Sequence, residues 1–309
     1  MVKKRSRNPG DGRTEDARAA GIIPSGRTRC QTTHAAADAR PDQRGMPSLT
    51  PDRLSIRRRP AGLPLIRQWW GKLLFMHWPV APSALRPLVP PQLSIDTFDG
   101  QAWVGVVPFT MWGVRPYFGP PVPGLNSFHE LNVRTYVHHR GVPGVWFMSL
   151  DINNSVAKWG GRQFFFLPYH NADISLRQEE RTINYSLRRT SDDAPPAAFD
   201  AAWTIGERLP EAEPDSLEFF LTERYCLYSV QREQLFRCRV FHEPWPLAAA
   251  EVSSCEETML EAAGLEAPGG APLLHYAEEL KVDIWPLNRV EQDIRDPLFE
   301  PAGASESLG

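Results

Sequence analysis

The chain is short of cysteine, of long apolar runs and of the signatures that announce common enzyme classes. Four cysteines in 309 residues, Cys30, Cys226, Cys238 and Cys255, have no CxxC spacing and are too few for a disulfide framework. That pattern implies free thiols and a reducing compartment. No apolar stretch approaches the roughly 18–20 residues of a membrane-spanning helix, and the N-terminus lacks the apolar core of a secretory signal. The reading is a cytoplasmic protein with no membrane partner. Glycine-rich phosphate loops, GxSxG, HxH and HExxH are all missing, so the chain offers no phosphate cradle, no nucleophile elbow and no metal-ligand spacing. Neither a cofactor nor a metal is expected; His77, His170 and Glu130 could in principle meet at one, but no spacing supports it.

What is present divides unevenly. Residues 1–60 hold 14 Lys/Arg against 6 Asp/Glu, a balance of +8, while residues 61–309 hold 20 against 31, or −11. The first part is rich in Arg, Ala, Gly and Pro with almost no aromatic residues, so it cannot bury enough surface to offset its ordering entropy. It reads as a disordered basic arm, dispensable for the body, with Met46 a natural alternative start. A basic arm can touch nucleic acid through phosphate attraction, yet the acidic body behind it argues for a solvated tail and no nucleic-acid partner.

The body, 61–290, reads as one unit. Thirty prolines disfavour long helices and suit short strands joined by rigid turns. Strands are expected at LLFMHWPV (73–80), AWVGVVPFTM (102–111) and AAWTIGE (201–207). Hairpins are expected from HELNVRTYV (129–137) into VWFMSLD (145–151), from ADISLRQ (172–178) into RTINYSLRR (181–189), and from CLYSV into QLFRCRVFH (234–242). PSALRPLVPPQL gives a short helix that opens on a proline and stops at Pro90-Pro91. PDSLEFFLTERY (214–225) reads as a helix or turn, and SCEETMLEAA (254–263) as a short serine-capped helix. HYAEELKVDIWPL supplies a last strand, and 291–309 reads as a loose tail. The fold class is mainly β, with antiparallel strands and a few short peripheral helices.

Three segments, MHWPVAPSALRPLVPPQLSIDTFDGQAWVGVVPFTM, PGLNSFHELNVRTYVHHRGVPGVWFMSLD and GGRQFFFLPYH, together resemble the YqjF-like family of uncharacterised bacterial proteins in the acetoacetate-decarboxylase-like superfamily. FLTERYCLYS and HEPWPL fit the same family, and the likeness spans about residues 65–288. It implies an antiparallel β-cone or barrel around a small-molecule site. In acetoacetate decarboxylase a lysine after the proline of the third segment forms a Schiff base with a keto acid, and a cationic neighbour activates it. Here Pro168 is followed by Tyr169 and His170, neither of which can form an imine, and Gln163 replaces the acidic residue after Gly-Arg. Lys158 is the nearest amine and is expected in the turn before Gly160-Gly161-Arg162.

The polar face of the 129–137 strand carries Glu130, Asn132, Arg134 and Tyr136, because side chains alternate along a strand. If Leu131, Val133, Thr135 and Val137 pack on an outer layer, that polar set lines the interior; otherwise it faces water. Arg162 offers a fork suited to a carboxylate, either anchoring an acidic ligand or pairing with Glu130 within about 6 Å. Tyr169 and His170 can exchange protons or simply pack. His77 has the same standing, and His138-His139 fall in a turn that reads as solvated. Phe164, Phe165, Phe166, Trp103 and Trp146 are expected as walls. Two functions compete: a module that binds a small, partly apolar organic molecule, and an enzyme using Glu130 with Tyr169 or His170 as acid and base. A homo-oligomer is compatible with either. In both cases the missing lysine predicts that borohydride added with acetoacetate leaves the intact mass unchanged; an adduct on Lys158 would overturn that reading.

Overall fold

The computed structural model describes residues 52–290, and the expectations for 1–51 and 291–309 lie outside the described residues. In chain order the elements are β1 (Ile66–Val80), α1 (Pro82–Leu85), β2 (Ser94–Ile95), β3 (Ala102–Pro116), β4 (Ser127–His139), β5 (Val142–Ile152), α2 (Ser155–Phe164), β6 (Tyr169–Glu179), β7 (Thr182–Arg189) and β8 (Ala198–Arg208). There follow α3 (Leu217–Thr222), β9 (Cys226–Gln231), β10 (Gln234–Phe241), β11 (Leu247–Glu257), α4 (Met259–Ala262) and β12 (Leu273–Arg289). Strands dominate and helices are short, as the proline content requires.

All twelve strands join one sheet in the order β10-β9-β5-β6-β7-β8-β11-β12-β1-β3-β4-β2, with further pairings of β10 to β12 and β5 to β4. Those two extra pairings close the sheet twice. One circuit runs β1-β3-β4-β5-β9-β10-β12, and the other shares β12-β1-β3-β4-β5 but returns through β6, β7, β8 and β11. Pairing is antiparallel except where β5 lies parallel to β6 and β9. Closure leaves few free edges and gives the shared strand β4 two buried faces along its middle. On β4 the odd residues Leu131 and Val133 enter the core of the larger circuit with Met76, Val106, Tyr185 and Trp203. The even residues Glu130, Asn132 and Arg134 therefore turn into the smaller circuit. The apolar set, expected on an outer layer, packs into a second interior instead.

The turn between β4 and β5 is two residues long, with Arg140 at φ 50° and Gly141 at φ 83°, the left-handed pair a tight hairpin demands. His138 and His139 accordingly belong to the strand and are half-buried, not solvated in a turn. The helix expected at 254–263 shrinks to α4: Ser254 and Cys255 extend β11, and the Glu257 carboxylate, not a serine, accepts from Met259 N and Leu260 N. Lys158 lies inside α2 rather than in a turn, its ammonium 3.4 Å from Ser191 Oγ.

Residues 52–60 also depart from the disordered-arm reading, which ran to residue 60. Ile56 is buried, Asp52 N donates to Gly141 O at 3.0 Å, and Arg53 pairs with buried Asp96, which also holds Arg224. Arg59 Nη2 lies 2.8 Å from Asp283 Oδ2, and Arg239 donates to the carbonyls of Ile56 and Arg58. A chain starting at Gly62 loses all of these while one starting at Met46 keeps them. Thermal melts should show the Gly62 variant roughly 5–10 °C below the Met46 variant, from one lost buried aliphatic and several charged contacts; equal melting temperatures would show that this segment adds nothing to stability.

Candidate functional site

A cavity of about 330 Å³ occupies the smaller circuit. Its walls are apolar, with Trp70, Phe109, Phe128, Phe147 and Trp245 among them, and its polar groups are Gln68, Glu130, Asn132, Arg134 and Tyr169. Such a lining, mostly apolar with a few polar groups, suits an organic ligand.

Glu130 is 2% exposed, and Tyr169 donates its hydroxyl to Oε2 at 3.0 Å. No cation among the described residues pairs with this carboxylate, so burial dominates and raises its pKa to about 8, against the smaller opposing pull of the Tyr169 and Asn132 hydrogen bonds. The Tyr169 phenol is pushed well above its ordinary range, first by burial and then by Glu130. Asp151 on β5 forms a contrast. It is fully buried but held by Arg189 through two contacts of 2.7 Å, so its charge is matched.

Tyr169 reaches the cavity because α2 yields to it. A Cβ on Gly161 would stand 2.3 Å from Tyr169 Cε2, whereas one on Gly160 would meet nothing within 4 Å. Only the second glycine of the pair is needed for this close approach. Strand alternation then turns His170 outward, where its Nδ1 is 3.5 Å from Asp193 Oδ1. Arg162, one residue past Gly161, rotates to that same outer side; its Nε donates to Tyr169 O at 2.6 Å and its Nη2 meets Asp193 at 2.8 Å. The expected Glu130–Arg162 pair therefore does not form, and neither Arg162 nor His170 lines the cavity.

Arg134 does. It keeps accessible surface although its strand is central, and that surface opens on the cavity. Its guanidinium lies 5.2 Å from the Phe75 ring centroid and 5.8 Å from that of Tyr136. Its Nε has no hydrogen-bond partner among the described residues, and no carboxylate among them forms an ion pair with it. Tyr136 and His77, both expected at the site, are sealed behind it: they are wholly buried, His77 Nε2 is 2.6 Å from Tyr136 Oη, and neither lines the cavity. Burial holds the His77 pKa well below its ordinary value, with Arg134 adding to the effect, so the imidazole is neutral.

Of the expected walls, Phe165 lines the cavity and Phe164 sits at its mouth, 60% exposed. Phe166 adopts φ 54° and packs outside on Phe236. Trp146 donates to Leu88 O, and Trp103 packs near Tyr136, so neither is a wall. Gln68 and Trp70 escaped notice because β1 begins at Ile66, seven residues before the strand read from the sequence. The alternation Ile66, Gln68, Trp70 was the available signal, broken at Gly71-Lys72, where the pairing of β1 with β3 shifts register. Among the described residues no three His, Cys, Asp or Glu side chains gather as metal ligands, and no helix is long and apolar enough to cross a membrane.

The profile of the DUF2071 family, "Uncharacterized conserved protein (COG2071)", matches residues 67–281. "Uncharacterized protein YqjF" of Bacillus subtilis (strain 168) is 43% identical over 230 residues, covering 74% of this chain and 94% of the relative. Among solved structures, the enduracididine biosynthesis enzyme MppR complexed with pyruvate matches with TM-score 0.52 at 14% identity, over 74% of this chain and 91% of that one. An acetoacetate decarboxylase structure matches with TM-score 0.49 at 16% identity, over 75% and 91%.

The raised Glu130 pKa has a signature in stability. The folded state holds this proton more tightly than the unfolded state, so stability falls as pH rises from about 4.5 to about 8 and levels above. Glu130→Gln lacks that slope. Melting curves from pH 5 to 9 should show the wild type losing ground to Glu130→Gln up to about pH 8; parallel profiles would mean the carboxyl is ionised throughout.

Proposed function

Since the chain belongs to the DUF2071 family of YqjF-like proteins, we propose that its cavity binds a small organic acid with an apolar body, without Schiff-base chemistry. One observation carries this reading: Arg134 is the guanidinium that lines an apolar cavity and has no carboxylate partner among the described residues. At neutral pH Glu130 is protonated, so it does not neutralise Arg134, and the cavity carries net positive charge. A charge taken from water needs a partner, and a ligand carboxylate supplies it with two parallel hydrogen bonds. Trp70, Phe109 and Trp245 then cover the ligand's apolar part. MppR is described with pyruvate, a small carboxylate; the shared fold makes that ligand class a natural one to test, and the residues of this chain carry the argument.

A second reading is favoured by Glu130 itself. A carboxyl with a pKa of about 8, hydrogen-bonded to a phenol inside a cavity, is poised to exchange a proton near neutral pH. As an enzyme the chain would use Glu130 and Tyr169 on a small carbonyl or carboxylate compound. His170 drops out of that pair because it faces Asp193 on the opposite side. The free thiols of Cys238 and Cys255 fit a cytoplasmic setting.

Calorimetric titration with phenylacetate and 3-phenylpropanoate separates Arg134 from Arg162. Arg134→Met should weaken binding tenfold or more, the scale of one charge-assisted pair, while Arg162→Met should leave it within about twofold. The reverse order would return the anchor to Arg162. Release of a product from these acids or from keto acids, lost in Glu130→Gln, would favour the enzyme.

A further inference from the structure

The cavity meets the surface along α2, and its rim there is apolar. Val156, Trp159 and Phe164 of α2 line it and are yet 55%, 59% and 60% exposed. No residue of α2 is fully buried. Trp159 and Phe164 meet edge to face, their ring centroids 5.6 Å apart. Exposed large apolar side chains scattered singly need no explanation, but three on one helix that lines a ligand cavity do.

Arg134 lies away from α2. It stands four residues beyond Glu130 on β4, which places it roughly 13 Å along the strand from the carboxyl that Tyr169, packed on Gly161 of α2, meets. Behind it, His77 and Tyr136 close the interior. The passage from the guanidinium to the rim runs past Glu130 and Tyr169, which form a neutral pair, and past apolar walls. At about 330 Å³ the enclosed volume is at the small end for a ligand site. A ligand longer than the cavity must leave through the mouth, where the exposed rim side chains await it.

We propose that the ligand is an amphipathic monocarboxylate with an extended hydrocarbon chain, its carboxylate at Arg134 and its tail emerging across Trp159 and Phe164 onto the apolar rim. This rests on the acid-binding reading above and names the class of acid. The rim is then the outer half of one binding site, continuous with the cavity wall. Hexanoate fits within the cavity; tetradecanoate extends onto the rim.

The test is a titration series from hexanoate through octanoate, decanoate and dodecanoate to tetradecanoate, each below its micelle-forming concentration. Affinity should rise about threefold to fourfold per added methylene through the series. The double variant Trp159→Ser/Phe164→Ser, at positions exposed enough to leave folding intact, should weaken dodecanoate and tetradecanoate at least tenfold and hexanoate less than twofold. Affinity that peaks at hexanoate or octanoate, or equal weakening of short and long acids by the double variant, overturns the proposal. So does a double variant that keeps the chain-length dependence but loses self-association in light scattering, which would make the rim a contact between copies. Hexanoate binding that depends on Arg134 without any gain for longer acids sinks the tail route alone. No binding by any acid of the series sinks both readings.

Discussion

A sheet that closes on itself twice leaves the middle of its shared strand β4 without a solvent face, and this constraint shapes the site. In an ordinary half-buried strand, alternation separates core from water. On β4 it separates two interiors: Leu131 and Val133 enter one, Glu130, Asn132 and Arg134 the other. Polar side chains on such a strand cannot be excused as surface decoration, because each must find a partner or a cavity. The cavity in the smaller circuit is the space that makes those residues tolerable.

Two buried carboxylates, one on each side of the β4–β5 pairing, show how differently that requirement is met. Asp151 has Arg189 clasped on both oxygens, and its position is explained by stability alone. Among the described residues the Glu130 carboxyl has a phenol and an amide as hydrogen-bond partners and no cation, and it answers by keeping its proton. Arg134 presents the complementary case, a cation resting against the rings of Phe75 and Tyr136 with no carboxylate among the described residues paired to it. A group left electrostatically incomplete within a cavity, while its neighbours are fully matched, is where binding energy is available to an incoming molecule.

The sequence made the alternating elements legible and the tertiary partners illegible. HELNVRTYV declared its polar face openly, and the strands at LLFMHWPV, AWVGVVPFTM and AAWTIGE stand where the pattern put them, each extended at one or both ends. Periodicity fails where side-chain chemistry competes with it: the cap chemistry of SCEETMLEAA looked helical, yet β8 captures Ser254 and Cys255 as strand partners. Arg162 could not be placed without knowing that Gly160-Gly161-Arg162 lies on a helix, since a helical turn of about 100° per residue sends Gly161 towards Tyr169 and Arg162 away from it. His77 and Tyr136 were named for their chemistry, but which residues seal a cavity and which line it depends on how deep each lies, and no spacing rule encodes depth.

The place of β12 has a consequence for how the chain is made. This strand, the last of the sheet in sequence, pairs with β1, β10 and β11, and both circuits pass through it. Until residues 273–289 have left the ribosome, neither ring can close, and β1, more than 190 residues upstream, waits with an unsatisfied edge. Nascent chains therefore expose strand edges and apolar faces from both interiors during most of synthesis, and the decisive contacts are among the most distant in sequence, an arrangement that slows folding. Cells making this protein face their greatest aggregation hazard before the final strand arrives, and a holding chaperone is most useful in that interval.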